Sequence, residues 1–308
     1  MKSMIWAEKF RPSKLKQLIL PPKTRRAFEE FIEEKQIPNI ILYGPPGSGK
    51  TTLSLILLKE LADRKLTLNA SSGDRGVATV KQKIKQFAST QRSSKKKLNI
   101  VLLDEADGLT VDAQLALKGT MDSYQANCRF IFTANQFDKI NEAIVSRCIL
   151  FEFNTFKKQD VVDLAEKILK AERIEYRNRI VEKIVNLYYP DVRTIINNLQ
   201  LGSVGGKLQM ADMSLDTNQV MDFLKRGKIT KLRELWKNRV DFIWVYKYLF
   251  NGFIIKHMPD EVKPEAAVVV ADYLYKDKGI ADKEINCTAC CIELMSLLEV
   301  NIDFKSRK

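Results

Sequence analysis

Residues 40–60 read IILYGPPGSGKTTLSLILLKE. A short apolar run passes at once into a glycine-rich turn and then into an apolar-periodic stretch. In this strand–loop–helix order, backbone N–H groups can close around phosphate oxygens at a helix N-terminus, where the helix dipole favours negative charge. The glycines permit the close approach. Gly47, Ser48, Gly49 and Thr52 complete the expected cradle, with Lys50 set to reach the β- and γ-phosphates and Thr51 to ligate Mg²⁺. A nucleotide with its Mg²⁺ is the expected ligand.

Outward from this loop, short apolar runs alternate with helical patterns as far as residue 153: LTLNA (66–70), NIVLLDEAD (99–107), RFIFTAN (129–135) and ILFEF (149–153). Buried strands interleaved with helices predict an α/β domain, a mostly parallel sheet with helices on both faces. NIVLLDEAD ends on two carboxylates. Asp104 suits the Mg²⁺ shell and Glu105 the orientation of an attacking water, although acids also cap strand ends. RFIFTAN ends on Asn135, whose amide either contacts the γ-phosphate and that water or caps a turn.

After Phe153 the strand signals stop. DVVDLAEKILKAERI, RNRIVEKIVNLYY and VRTIINNLQLG carry apolar residues at three- and four-residue spacing, which predicts a small helical domain. Asp191 is a plausible N-cap there, and Arg193 in the first turn either reaches the phosphates from a lid or is a surface arginine. The stretch 202–216, GSVGGKLQMADMSLD, reads as a linker to a third, all-helical part. The expected division is therefore 1–154, 155–206 and 207–308, which suits a chain of 308 residues.

Composition narrows the function classes. The chain is 45% apolar and 29% charged, with no stretch near the ~18 apolar residues of a membrane span. The N-terminus MKSMIWAEKF meets Glu8 and Lys9 before an apolar segment develops, which predicts an intracellular protein without a membrane partner. A formal charge of +13 favours an anionic partner, most simply nucleic acid. The five cysteines are scattered and odd in number, against a disulfide framework, and CTACC (287–291) reads as core packing rather than half a metal site. The single histidine, His257, counts against a Ser-His-Asp or Cys-His hydrolase.

WAEKFRP (6–12), GPPGSGKTT, ASSGDRG (70–76), LLDEAD, DAQLALKGTMDSY (112–124), TAN (133–135), SRC (146–148) and PDVR (190–193) follow one another in this order. Together they resemble the ATPase subunits of sliding-clamp loaders, within the AAA+ class, over about residues 4–202. ILP at 19–21, PNIIL and PDVRTI bring the chain closer to the large subunit of T-even-type phage loaders, with similarity also to replication factor C small subunits. The resemblance implies an AAA+ core, a helical lid and a helical collar for oligomerisation. It also implies DNA-dependent ATP hydrolysis in the cytoplasm, that of the host if the chain is phage-encoded. The partners it implies are primer–template DNA, a ring-shaped clamp, further copies of the chain and a second loader subunit, in a heteropentamer. It places Ala7, Glu8, Lys9, Phe10 and Ile19 near the adenine of ATP, and makes Arg147 an arginine finger offered to a neighbour's γ-phosphate; without it, Arg147 reads as a strand-end arginine.

For DNA, SSGDRGVATVKQKIKQFA has one apolar helical face, with Lys81 and Lys85 on another and Arg75 at the helix start. Thr110 can cap the next helix, whose free N–H groups also suit a phosphate. In a spiral of subunits these residues would follow the backbone without reading bases; alone they are ordinary solvated charges. Gln114 either carries a signal from this face to Glu105 or simply packs. The rival within the class is a DNA-remodelling motor such as a branch-migration helicase.

Overall fold

The computed structural model describes residues 5–70, 77–90, 98–153, 156–209, 217–236, 242–277 and 279–299. The chain forms two compact units, 1–209 and 210–308.

The first unit is built on five strands: β1 (Ile40–Tyr43), β2 (Ala62–Asn69), β3 (Leu98–Asp104), β4 (Cys128–Ala134) and β5 (Ile149–Glu152). All pair in parallel, in the order β2-β3-β4-β1-β5. Helices α1 (Trp6–Lys9), α2 (Pro22–Glu34), α3 (Lys50–Leu61), α4 (Val77–Ser89), α5 (Val111–Ser123) and α6 (Glu142–Val145) belong to the same part. Side chains alternate across the sheet as the two-residue strand period requires. Ile40, Leu42, Ile100, Leu102 and Ile131 meet Phe28, Leu53, Leu57 and Leu61 of α2 and α3. Ile41, Val101, Leu103, Phe130 and Phe132 meet Ile84 of α4 and Ala113, Leu117 and Met121 of α5. A parallel sheet covered on both faces explains why β3 and β4 read as nearly unbroken apolar runs.

β2 is longer than the expected LTLNA, starting at Ala62 directly after α3. Its first residues, ADRK, carry charges that hide the strand from an apolar-run criterion. An edge strand with one ladder partner accommodates them because one side faces water.

Helices α7 (Lys158–Ala171), α8 (Asn178–Tyr188) and α9 (Val192–Gly202) pack around Val161, Leu169, Val185, Ile195 and Leu199. Trp6 joins this cluster from the N-terminus, and its backbone N–H donates to Gln200 Oε1 at 2.8 Å. This helical part runs on to Gln209, past the expected boundary at 206. Leu208 is buried in its core, Leu208 N–H donates to Glu175 O at 2.7 Å, and Gln209 N–H donates to Gly202 O at 2.8 Å.

The second unit contains α10 (Thr217–Lys225), α11 (Ile229–Trp236), α12 (Phe242–Tyr248), a π-helical turn at Leu249–Ile254, α13 (Ile255–His257), α14 (Lys263–Lys276) and α15 (Lys283–Leu297). Trp236, Tyr246 and Phe253 are fully buried, and Cys287, Cys290 and Cys291 lie in the same apolar core. Each such apolar side chain contributes about 1.5–3 kcal/mol. Gly252 lets the π turn lie against Tyr248, since a Cβ there would fall 2.6 Å from the ring.

Candidate active site

β1 runs directly into the loop 44–49, and Gly44 N–H donates to Ala134 O at the end of β4. Gly47 and Gly49 adopt φ of +68° and +101°, a region L side chains rarely enter, so the loop turns tightly before α3. Lys50, the first residue of α3, is 6% exposed and folds back over the loop. Its ammonium donates to Gly44 O at 2.8 Å and Pro45 O at 2.7 Å. Burial lowers its pKa to about 8; the carboxylates of Asp107 and Asp104 oppose that shift and the Arg193 charge adds to it.

The acids are organised from β4, which lies between β1 and β3. Thr51 Oγ1 donates to Asp104 Oδ1 at 2.8 Å, and Thr133 Oγ1 donates to the same oxygen at 2.6 Å. Thr133 Oγ1 also accepts the Glu105 N–H at 2.9 Å. That bond holds Glu105 in a left-handed conformation, φ 55° and ψ 45°, which turns the chain sharply at the end of β3. Asp107 Oδ2 accepts the N–H groups of Asn135 and Gln136, at 3.3 and 3.1 Å, and so fixes the loop carrying Asn135. In the sequence, Thr133 and Asp107 carry no role beyond their places in the TAN and LLDEAD motifs. A hydroxyl inside an otherwise apolar strand was the available signal for Thr133.

These groups line an open cleft. Gly47, Ser48, Gly49, Lys50, Thr51 and Thr52 contribute, together with Glu105, Thr133 and Asn135. The helical part after the sheet contributes Phe156, Leu164, Val192, Arg193 and Ile196, and the N-terminal segment contributes Ala7, Glu8, Phe10, Leu18 and Ile19. Lys9 departs from expectation. Its side chain pairs with Glu172 and stands 5.3 Å over the Phe10 ring instead of lining the cleft. Asp191 caps α9 as expected, its Oδ1 accepting Thr194 N–H at 2.9 Å. The same oxygen abuts the phosphate loop: a Cβ on Gly47 would lie 1.8 Å from it.

The donor set fits a nucleotide with Mg²⁺. Two hard oxygens, Thr51 Oγ1 and Asp104 Oδ1, stand 2.8 Å apart. Adjacent ligands of an octahedral ion with bonds of about 2.0–2.1 Å are separated by about 2.9 Å. No group of three or more His, Cys, Asp or Glu residues that could hold a metal occurs among the described residues.

Arg147 does not reach this cleft. It follows α6 and precedes β5, a strand at the sheet edge, where Ile149 and Leu150 are 49% and 40% exposed. Its Nε and Nη2 donate to Asp122 Oδ1 and Oδ2 at 2.7 and 2.9 Å, and Nη1 donates to Ala143 O at 2.9 Å. The Asp122 bond holds the Arg147 pKa above its ordinary value, and the Arg147 bond holds the Asp122 carboxyl below its own. Gln114 is 2% exposed: Oε1 accepts Asn141 N–H at 2.7 Å and Nε2 donates to Lys139 O at 3.0 Å, which ties α5 to the start of α6.

Of the residues expected at DNA, Arg75 and the side chain of Lys81 lie outside the described residues. Lys85 is exposed on α4, and Thr110 caps α5, its Oγ1 accepting Ala113 N–H at 3.3 Å.

Residues 40–155 match the family described as "ATPase family associated with various cellular activities (AAA)". The fold is shared with the Thermotoga maritima RuvB Holliday junction branch migration motor, at a TM-score of 0.56 and 14% identity over 78% of this chain and 92% of that one. At that identity the likeness shows the fold alone. The protein is thus an AAA+ ATPase. More specific are the replication factor C small subunits of Sulfolobus acidocaldarius, 34% identical over 94% of this chain and 95% of the relative, and of Sulfurisphaera tokodaii, 36% identical over the same shares. The chain belongs to the replication factor C small-subunit family, among the clamp-loader ATPase subunits that its motifs resemble. These relatives are archaeal and add no support to the phage affinity expected from Ile19-Leu20-Pro21. No helix among the described residues is long and apolar enough to cross a membrane.

Proposed function

We propose that the chain is an ATPase subunit of a sliding-clamp loader, which opens a ring-shaped clamp and places it on primer–template DNA. Its partners would be the clamp, primed DNA, further copies of itself and a second loader subunit in the cytoplasm. The observation that carries this reading is the separation of Arg147 from the cleft: the groups suited to bind a nucleotide converge in one place, while the arginine expected to serve it stands on an exposed sheet edge. An arginine so placed is available to a neighbour's nucleotide rather than to its own.

In this reading Thr51 and Asp104 hold Mg²⁺, which neutralises charge on the phosphates, and Lys50 and the loop N–H groups grip the phosphate oxygens. Glu105 orients and polarises the attacking water, and Asn135 contacts that water and the γ-phosphate. Arg193 brings the lid onto the phosphates. Residues 1–154 then act as the ATPase core, the following helices as lid and the C-terminal unit as collar. Primed DNA, held through Arg75, Lys81, Lys85 and the α5 N-terminus, aligns Glu105 with the neighbour's Arg147. Hydrolysis releases the closed ring, because a ligand shifts an assembly only through its differential affinity for the two states.

The test mixes two full-length variants with primed DNA, clamp and partner subunit. Glu105→Gln keeps its finger and loses its own site; Arg147→Ala does the reverse. Both are expected to be nearly inactive alone and to recover turnover when mixed. Wild-type turnover by Arg147→Ala would remove the trans reading. Strand displacement without any effect of a clamp would favour a DNA-remodelling motor.

A further inference from the structure

Asp122 lies in the last turn of α5, and its side chain is 52% exposed. It meets the Arg147 guanidinium side-on, both oxygens engaged, in the paired geometry that fixes direction as well as contact. Nη1 is taken by the Ala143 carbonyl, with Ser146 Oγ at 3.3 Å. A guanidinium has five N–H donors; with one at Nε and one at Nη2 on Asp122, and Nη1 on Ala143 O and Ser146 Oγ, one Nη2 N–H remains for a further anionic oxygen. The backbone beside it is fixed too: Asn39 Nδ2 donates to Arg147 O at 3.4 Å, and Asn141 caps α6 through Ala143 N–H. Since Asn141 N–H itself donates to Gln114, α5 governs both the backbone approach to Arg147 and the direction of its side chain.

An exposed ion pair of this kind adds little to stability, and ordering a long side chain opposes it. Its value lies in the orientation it imposes. We propose that Asp122 is a positioning residue for ATP hydrolysis, holding the Arg147 fork so that its free end faces a neighbouring subunit's γ-phosphate. The proposal rests on the reading of Arg147 as acting in trans, and the experiment separates the two.

Full-length wild type, Asp122→Asn, Asp122→Glu, Arg147→Ala and the double variant Asp122→Asn/Arg147→Ala are assembled with partner subunit, clamp and primed DNA. The measurements are kcat, KM for ATP, binding of a fluorescent ATP analogue and melting temperature. Asp122→Asn should lower kcat about tenfold or more with KM, analogue affinity and melting nearly unchanged, and Asp122→Glu should recover much of the loss. Arg147→Ala should lose roughly 10³-fold or more. The double variant should be no slower than Arg147→Ala alone, because Asp122 acts only through the arginine. Wild-type turnover by Arg147→Ala sinks the trans reading itself. A large loss there with normal kcat in Asp122→Asn leaves that reading intact and overturns the positioning role. Faster turnover in Asp122→Asn also overturns it, since the carboxylate would then be storing the arginine rather than aiming it. A further loss in the double variant, or a loss explained by lower melting, overturns it as well.

Discussion

Lys50 and Arg147 are held in opposite ways. Lys50 is buried, its partners are backbone carbonyls, and burial has brought its pKa down to about 8. Arg147 sits at the rim, faces a carboxylate, and has its pKa held up by that bond. A cation that receives phosphate within its own cleft can be partly stripped of water, because the incoming anion restores the favoured charge. A cation at an edge must stay charged and aimed in solvent. Lysine, a flexible point charge whose pKa shifts on burial, fits the first task; arginine, planar and always protonated, fits the second.

The contrast predicts unequal responses to substitution. The largest belongs to Lys50→Ala, expected to weaken ATP binding by roughly 100-fold or more, the cost of losing a charge-assisted contact together with the order of its loop. Undiminished binding in a fluorescent-analogue titration would break the contrast at its buried end. Arg147→Lys keeps charge but discards the fork, so DNA-stimulated kcat should fall by about 10²-fold while analogue affinity holds. If lysine serves as well, direction does not matter at the edge.

Thr133→Val tests whether the cleft depends on internal wiring that the edge lacks. Asp104 keeps the Thr51 hydroxyl but loses that of Thr133, and Glu105 N–H loses the Thr133 acceptor; each lost hydrogen bond costs about 0.5–1.5 kcal/mol. Turnover should drop about tenfold or more, with a lower melting temperature. The smallest effect is one of pH. Because the folded protein already tends to lose the Lys50 proton near pH 8, ATP affinity should decline as pH rises through that value, by at most about tenfold per unit. Lys50→Arg, which stays protonated, should flatten this alkaline limb even if it binds more weakly overall. The same slope in both proteins would assign it to another group.

Legibility in the sequence followed the range of the contacts. The phosphate loop, the acid pair at the end of β3 and the helices after the sheet were readable because their chemistry lies in neighbouring residues or one repeating period. The order of the strands, and with it the place of β4 between the loop strand and the acid strand, has no local signature. Thr133 and Asp122 were therefore missed: each matters through a partner 25 to 29 residues away in the chain. β2 was read short because its charged beginning suits an edge and imitates a loop. In the C-terminal unit helical periodicity was plain, but the π turn at Leu249–Ile254 adds a residue to the helical step and leaves no compositional mark beyond Gly252.

The contact between Gly47 and Asp191 sets a mechanical limit. The cap of α9 rests where a methyl group would otherwise stand, 1.8 Å from the carboxylate oxygen. The close approach of α9 to the phosphate loop therefore depends on the absence of a side chain at position 47. A single added carbon at position 47 would act as a wedge, forcing the start of α9 away from the phosphate loop.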